Sequence, residues 1–189
     1  KMKKILISLL LLSSFYSNAQ YSTINIGLTN TSFNDIYNNY YENSTSLNSL
    51  RFGFSKSFVT SKWLDTQLNL SYVSRGSSAS VTTYDSVGTG TVDLTEKTNY
   101  IQLSSHFKKN VIGDFSIFVA PYFAFSVSSS SEYYSYFDEI VVTEKNTNQS
   151  NILNTYFGIS YLSDNMINFE LGWSPTFYNE LYFSVGYVL

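Results

Sequence analysis

Apolar side chains fall on every second residue, over stretches of about ten residues, along most of this chain. In the last stretch the odd positions from Leu181 to Leu189 are apolar or aromatic, and they alternate with Tyr182, Ser184 and Gly186. A period of two indicates β-strands with one apolar face, because successive side chains of a strand point to opposite sides.

The alternation predicts eight β-strands separated by polar segments. These strands are Tyr21–Asn30, Ser46–Phe58, Trp63–Arg75, Thr98–Lys108, Phe115–Ser128, Asn151–Tyr161, Met166–Trp173 and Leu181–Leu189. No apolar run in this part of the chain approaches the roughly 20 residues that a membrane-spanning helix needs. If the chain crosses a membrane, we therefore expect it to do so with strands.

The links between the predicted strands alternate between long and short. The long polar links are Thr31–Thr45, Gly76–Lys97, Ser129–Ser150 and Ser174–Glu180, and the short ones are Val59–Lys62, Lys109–Asp114 and Leu162–Asn165. Outer-membrane barrels have short periplasmic turns and longer outward loops. With the N-terminus in the periplasm, every long link would face outward.

The composition favours a barrel that meets lipid. The chain contains 17 tyrosines and 15 phenylalanines, while charged residues make up only 13%. Aromatic girdles and an apolar belt require such residues on the outside of a barrel, and closure leaves no sheet edge in hydrocarbon. We therefore predict an all-β fold, an eight-stranded antiparallel up-and-down transmembrane β-barrel whose interior has room only for side chains.

Residues 1–19 are predicted to be a cleavable signal peptide. Lys3 and Lys4 precede an apolar run from Ile5 to Leu12, and Ser17-Asn18-Ala19 has the small-x-small pattern of a cleavage site. A membrane anchor helix is the alternative, but the run is much shorter than the ~20 residues of a span. The barrel domain would then be residues 20–189, located in the bacterial outer membrane.

Charge and cysteine content exclude several kinds of function. The predicted signal peptide contains three lysines and no acid, so its removal changes the net charge from −3 to −6. An acidic chain argues against nucleic acid as a partner. The absence of cysteine excludes disulfides, thiolate metal sites and a cysteine nucleophile. We expect a monomer without a cofactor or a metal, and no enzyme activity.

Three stretches resemble the outer-membrane β-barrel (PorT-like) families of Bacteroidetes. These are Leu68–Gly76, which ends in Tyr-x-x-Arg-Gly, Tyr100–Phe107, and Phe118–Tyr122, which contains Pro-Tyr. The chain departs from the family pattern at Ser104, where proline is usual, and at Leu189, where an aromatic residue is more typical. The resemblance implies an eight-stranded barrel that the outer-membrane assembly machinery inserts, and some relatives act in type IX secretion.

Five charged or titratable residues occupy the alternate strand positions whose side chains are predicted to point into the barrel. They are Arg51, Asp65, Arg75, His106 and Glu170. Opposite charges in a narrow barrel can pair across the interior and replace lost hydration. We predict a lumen network in which Glu170 pairs with Arg51 or Arg75. An ion or solute path along these residues is the alternative.

His106 is the only histidine of the chain. It could act as a catalytic base with Ser104 or Ser105, since some eight-stranded barrels are lipid A hydrolases. A Ser/His pair needs hydrogen-bond contact, and Ser104 lies about 7 Å along the strand from His106. We therefore expect no catalytic residues, and interpret His106 as a polar side chain of the lumen.

Five aromatic residues lie near strand ends with lipid-facing parity: Trp63, Tyr72, Tyr161, Trp173 and Tyr187. Their rings favour the headgroup layer, which predicts interfacial anchoring; carbohydrate stacking is the alternative. The function that these patterns indicate is structural or interaction-based, with outward loops that contact an envelope or external partner. The alternatives are a narrow porin or an accessory of an outer-membrane secretion system, and, third, a membrane-embedded lipid A hydrolase.

Overall fold

The computed structural model describes residues 21–33, 42–61, 64–85, 88–135, 140–146, 151–175 and 178–189. The predicted signal peptide at residues 1–19 and the predicted girdle residue Trp63 lie outside these ranges. Within them, no helix is long and apolar enough to cross a membrane.

The described part of the chain consists of antiparallel β-strands. Their bounds are β1 Tyr21–Phe33, β2 Glu42–Ser61, β3 Leu64–Asp85, β4 Gly88–Ile112, β5 Phe115–Ser135, β6 Ile140–Asn146, β7 Ile152–Leu162, β8 Ile167–Pro175 and β9 Tyr178–Val188. Most strands pair with their neighbours in sequence, as in an up-and-down barrel. The sheet closes where β1 pairs with β9, from Thr23 opposite Val188 to Phe33 opposite Tyr178.

The barrel has eight strands around its circumference in the part of the chain that is described, although nine segments are assigned. β6 and β7 both pair with β5, but along different lengths of it. β6 pairs with Ser129–Ser135, and β7 pairs with Phe115–Ala124. The predicted fold class, a closed eight-stranded antiparallel barrel, is confirmed.

The prediction that two of the long links are outward loops is wrong, because much of their length is β-strand. Within Gly76–Lys97, β3 and β4 remain paired from Gly76 opposite Lys97 to Asp85 opposite Gly88. Within Ser129–Ser150, β5 continues to Ser135 and pairs with β6. Most residues of these strands are polar and their few apolar residues do not form a long alternating pattern, so the sequence signal of a half-buried strand is missing. Cross-strand hydrogen bonds such as Ser78 Oγ to Thr95 Oγ1, at 2.8 Å, accompany the pairing.

The tight links at the opposite end of the barrel adopt unusual backbone angles. β4 and β5 are joined by only Gly113 and Asp114, and Gly113 has a φ of 54°. Glycine adopts this left-handed conformation without the steric cost of a Cβ atom. In the β7–β8 link Met166 has a φ of 61°, which is unfavourable for a residue with a side chain. This angle directs the Met166 carbonyl to accept a hydrogen bond from the Val188 amide at 2.9 Å.

Large side chains fill the lumen where glycine stands opposite them. Phe118 faces Gly158 across the β5–β7 pair, and Tyr182 faces Gly172 across the β8–β9 pair. A Cβ at Gly158 would lie 2.4 Å from the Phe118 ring, and one at Gly172 would lie 2.2 Å from the Tyr182 ring. The two glycines therefore make room for a lumen that is packed rather than open.

Candidate functional site

The outer face of the barrel is an apolar belt. Most of the alternate positions predicted to face lipid are exposed, whereas most of their neighbours are buried. Large apolar side chains on this face are roughly half exposed: Ile24, Ile26, Leu28, Leu50, Phe52, Phe54, Leu70, Ile101, Leu103, Ile117, Val119, Phe157, Ile159, Leu171 and Phe183. A water-soluble protein rarely exposes such a continuous apolar surface.

The aromatic residues predicted to anchor the barrel lie at both ends of this belt. Tyr72 and Trp173 are 43% and 46% exposed on the side of the long strands, and the Trp173 indole donates a hydrogen bond to Asn179 Oδ1 at 2.7 Å. At the other end, Tyr187 is 59% exposed and Tyr161 is half-buried against the ring of Phe115. Contact of these rings with lipid headgroups stays a prediction.

One polar cluster in the lumen is centred on Glu170. Lys108 Nζ donates to Glu170 Oε1 at 2.6 Å, and Asn168 Nδ2 donates to the same oxygen at 3.1 Å. His106 Nδ1 lies 3.8 Å from Glu170 Oε2. All four side chains are buried. The predicted pairing of Glu170 with Arg51 or Arg75 is wrong, because Lys108 is its partner.

Arg75 belongs to a second cluster, nearer the end with the long strands. Its Nε donates to Glu180 Oε2 at 2.8 Å, and its Nη2 donates to the hydroxyl of Tyr156 at 2.8 Å and to Gln102 Oε1. The Tyr156 hydroxyl in turn donates to Glu180 Oε1. The prediction that Ser174–Glu180 is an outward loop is therefore wrong at its end, since β9 begins at Tyr178 and turns Glu180 into the lumen.

Aromatic side chains close the lumen at the level of the two clusters. Tyr122 stacks on Tyr156 with ring centroids 4.4 Å apart, and Tyr182 meets Tyr156 edge-on at 4.8 Å. Below them Phe118 stacks on His106 at 5.0 Å. These rings are at most 3% exposed. Side chains thus occupy the centre of the barrel, which argues against an open solute path.

Ser104, His106 and Glu170 stand in the order of a catalytic triad. Ser104 Oγ lies 3.1 Å from His106 Nε2, so the expectation that strand spacing keeps the two apart is wrong. The Cα atoms of alternate residues are about 7 Å apart, but the two side chains lean toward each other. The 3.8 Å from His106 to Glu170 is longer than a hydrogen bond. All three side chains are also buried, and the absence of enzyme activity stays a prediction.

Two of the five predicted lumen residues lie outside both clusters. Asp65 is half-buried near the end of the barrel that carries the tight links. Arg51 is buried against the rings of Tyr182 and Tyr156, with its carbon Cζ 4.3 and 5.5 Å from their centroids. The prediction missed Lys108 and Glu180, although Lys108 has the parity of His106 and Glu180 has that of Tyr182. In the described residues no group of three or more His, Cys, Asp or Glu side chains could hold a metal ion.

On one side of the barrel, the strands continue beyond the belt as a protruding sheet. We define this sheet as residues 76–85 of β3, 88–97 of β4, 129–135 of β5, and β6. The register between β3 and β4 carries ten pairs in this region, a length of about 34 Å. On the opposite side β1 ends at Phe33 and β8 ends at Pro175. Among the described residues the rim is therefore asymmetric.

No family model matches the chain, and no curated protein matches it. Among solved structures, it is similar to Ail, the attachment invasion locus protein of Yersinia pestis, with 8% identity and a TM-score of 0.49 over 89% of this chain and 96% of that chain. It is also similar to Neisserial surface protein A, with 9% identity and a TM-score of 0.41 over 87% and 94% of the two chains. A designed transmembrane β-barrel matches with 9% identity and a TM-score of 0.37 over 92% and 98%.

These sequence identities and TM-scores support no statement about ligands or partners. The assignment of the fold rests on the strand pairing within this chain. The chain is a transmembrane β-barrel of the type found in bacterial outer membranes. Its closed antiparallel wall, apolar outer belt and polar interior are the three features that define this type.

Proposed function

We propose that this protein is an outer-membrane anchor that presents its protruding sheet to another component of the envelope or to an external partner. The asymmetric rim is the observation that carries the proposal. A barrel that serves only to fill the membrane needs no strands beyond the belt, yet β3 and β4 continue as a paired ribbon for ten further residue pairs, about 34 Å of strand length.

The protruding sheet also has an edge suited to recognition. β6 pairs with β5 on one side, and within the described residues it has no partner on the other. A free edge presents unpaired backbone amides and carbonyls to an incoming extended segment. This favours a partner that adds a strand to the sheet.

The lumen supports neither of the other two classes of function. The stacked rings of Tyr122, Tyr156 and Tyr182 fill its centre, so we propose that the barrel does not conduct solutes. The Ser104–His106 pair is buried, so we propose that the protein is not a lipid A hydrolase. A planar-bilayer recording without conductance and an unchanged lipid A profile would agree with both statements.

From the resemblance to PorT-like families we propose a component of a secretion system as the second candidate partner. Such an accessory role uses the same protruding sheet. Only the identity of the partner distinguishes this role from a general contact within the envelope. Biogenesis through the outer-membrane assembly machinery and a monomeric state in lipid also stay predictions.

Site-specific photo-crosslinking in intact cells tests the proposal. A photoreactive residue replaces Glu132, which is exposed on β5 in the protruding sheet, and a matched control replaces Phe125, which is 49% exposed on the same strand in the belt. We expect a discrete protein adduct from position 132, and none from position 125 because lipid surrounds it.

A shortened variant supplies the second arm of the experiment. Residues 78–95 are replaced by Asn-Gly, which joins Ser77 to Glu96, two residues that are paired in the register. The variant should keep the gel shift between boiled and unboiled samples that marks a folded barrel, and it should lose the adduct. An adduct of the same size from the shortened barrel, or no adduct from position 132, would contradict the proposal.

A further inference from the structure

Lys109 is a cation on the lipid-facing side of the barrel wall. It is exposed on β4 and alternates with the exposed apolar residues Phe107 and Val111. Its register partner on β5 is Ile117, which is also exposed. Among the described residues, no carboxylate lies within ion-pair distance of the Lys109 ammonium group. The described protein therefore surrounds this cation with apolar side chains and supplies no counter-charge to it.

In the belt-forming part of the described wall, the outward positions carry two lysines and no acid. Lys56 on β2 and Lys109 on β4 alternate with buried neighbours and so face lipid. The acids of this part of the wall occupy inward positions: Asp65, Glu170 and Glu180. Lys109 lies near the end of β4 at Ile112, and Lys56 lies near the end of β2 at Ser61. The positive charge of the outer face therefore lies toward the end of the barrel that carries the tight links.

Three adjoining surface grooves lie beside Lys109 on the outer face of the barrel. One has a volume of about 450 Å³ and has Lys109 in its wall. A second, of about 310 Å³, shares Ile117 with the first, and a third, of about 220 Å³, shares Phe115 and Ile159 with the second. Apolar side chains make up most of the wall of the first groove: Leu64, Phe107, Ile117, Phe118, Val119 and Phe157. The grooves thus connect one ammonium group to a continuous apolar surface.

We propose that Lys109 and these grooves form a binding site for an anionic phospholipid of the leaflet on the side of the tight links. The ammonium group binds the phosphate, and an acyl chain lies along the apolar grooves. A lysine stem can follow an apolar surface and hold its charge at the headgroup layer. Tyr161 of the predicted aromatic girdle pairs with Phe115, two residues from Ile117, so that layer is close to Lys109. An anionic lipid is favoured because a zwitterionic headgroup brings its own cation, which competes with Lys109 for the phosphate.

Native mass spectrometry of the barrel in detergent tests the role of the lysine. The protein is mixed with equal amounts of phosphatidylglycerol and phosphatidylcholine that have the same acyl chains, and the first bound lipid is identified by its mass. The preference for phosphatidylglycerol should be about fivefold greater in wild type than in K109Q, since one cation near an anionic lipid surface contributes about 1 kcal/mol. K109R should keep the preference, and so should K97Q, which removes a cation from the same strand in the protruding sheet. Equal preferences in wild type and K109Q would overturn the proposal.

Fluorescence quenching in vesicles tests the position of the bound lipid. Because the chain has no native cysteine, a bimane label is attached at V119C in the first groove or, as a control, at I26C, which is exposed on β1 across the barrel. The phosphatidylcholine vesicles contain a small fraction of phosphatidylglycerol or phosphatidylcholine with brominated acyl chains. Brominated phosphatidylglycerol should quench the V119C label more strongly than brominated phosphatidylcholine, and this difference should vanish in V119C/K109Q and at I26C. The gel shift between boiled and unboiled samples checks that each variant folds. Equal quenching by the two lipids at V119C, or the same difference at I26C, would refute the assignment.

Discussion

The ion pair between Lys108 and Glu170 offers the sharpest test of the lumen. Their charged atoms are 2.6 Å apart, and the two side chains are 8% and 1% exposed. Removing one partner of such a pair leaves an uncompensated buried charge, which costs about 3–5 kcal/mol in proteins. Replacing both partners removes the charge problem and leaves only a loss of packing.

The expected loss of free energy of unfolding differs between the two single variants. K108M leaves the carboxylate of Glu170, the more deeply buried partner, with only Asn168 and His106 near it, so we expect a loss of about 3 kcal/mol. E170Q leaves Lys108, which reaches closer to water at the end of the barrel, so we expect about 2 kcal/mol. The double variant should lose about 2 kcal/mol rather than the sum, which gives a coupling energy of about 3 kcal/mol.

Urea unfolding in phospholipid vesicles measures these free energies. The folded fraction is read from tryptophan fluorescence and from the gel shift between boiled and unboiled samples. Singles that lose the amounts above and a double that recovers part of the loss would support the pair. Additive losses, or singles within about 0.5 kcal/mol of wild type, would show that Lys108 and Glu170 do not interact in the folded barrel.

Three further perturbations probe the turns, the packing and the protruding sheet. M166G should stabilise the barrel by up to about 1 kcal/mol in the same assay, because glycine removes the cost of the positive φ; a loss would show that the Met166 side chain matters more. G172A should destabilise it by about 1–3 kcal/mol, since the new methyl group would lie 2.2 Å from the Tyr182 ring, and unchanged stability would contradict the packed lumen. Burial raises the pKa of Glu96 above its ordinary value of 4.5. The carboxyl therefore ionises at a lower pH in the unfolded chain than in the folded barrel. As the pH rises between these two pKa values, the free energy of unfolding falls. E96Q should therefore reduce the loss of stability between pH 4.5 and 7, and an unchanged pH profile would argue against burial of Glu96.

Most of the barrel could be predicted from the alternation of apolar and polar side chains along the sequence. Ile24, Ile26 and Leu28 are exposed while Thr23 and Asn25 are buried, because lipid outside and a polar interior impose opposite preferences on successive residues. The same logic fails in the protruding sheet. There most residues are polar and apolar side chains are few, although Ala79 and Leu94 are buried, so residues such as Ser78 and Thr95 have the composition of a loop although they pair as strands.

The partners inside the lumen could not be predicted in the same way. Parity tells which residues point inward, and it places Arg51, His106 and Glu170 there. Which of them meet depends on the stagger of the strands around the barrel, and no local pattern specifies that stagger. Lys108 reaches Glu170 from β4 to β8 across the interior, whereas the aromatic layer around Tyr156 lies beside Arg51.

A cysteine scan along β9 tests the central claim, that alternate residues face lipid and a packed lumen. The chain has no native cysteine, so single cysteines from Leu181 to Tyr187 can be spin-labelled one at a time in vesicles. Odd positions should show high collision rates with oxygen, which concentrates in the bilayer, and even positions such as Tyr182 and Ser184 should show low rates with both oxygen and a water-soluble relaxer. If the odd positions are shielded from both reagents, the apolar residues pack against protein and the barrel interpretation is contradicted.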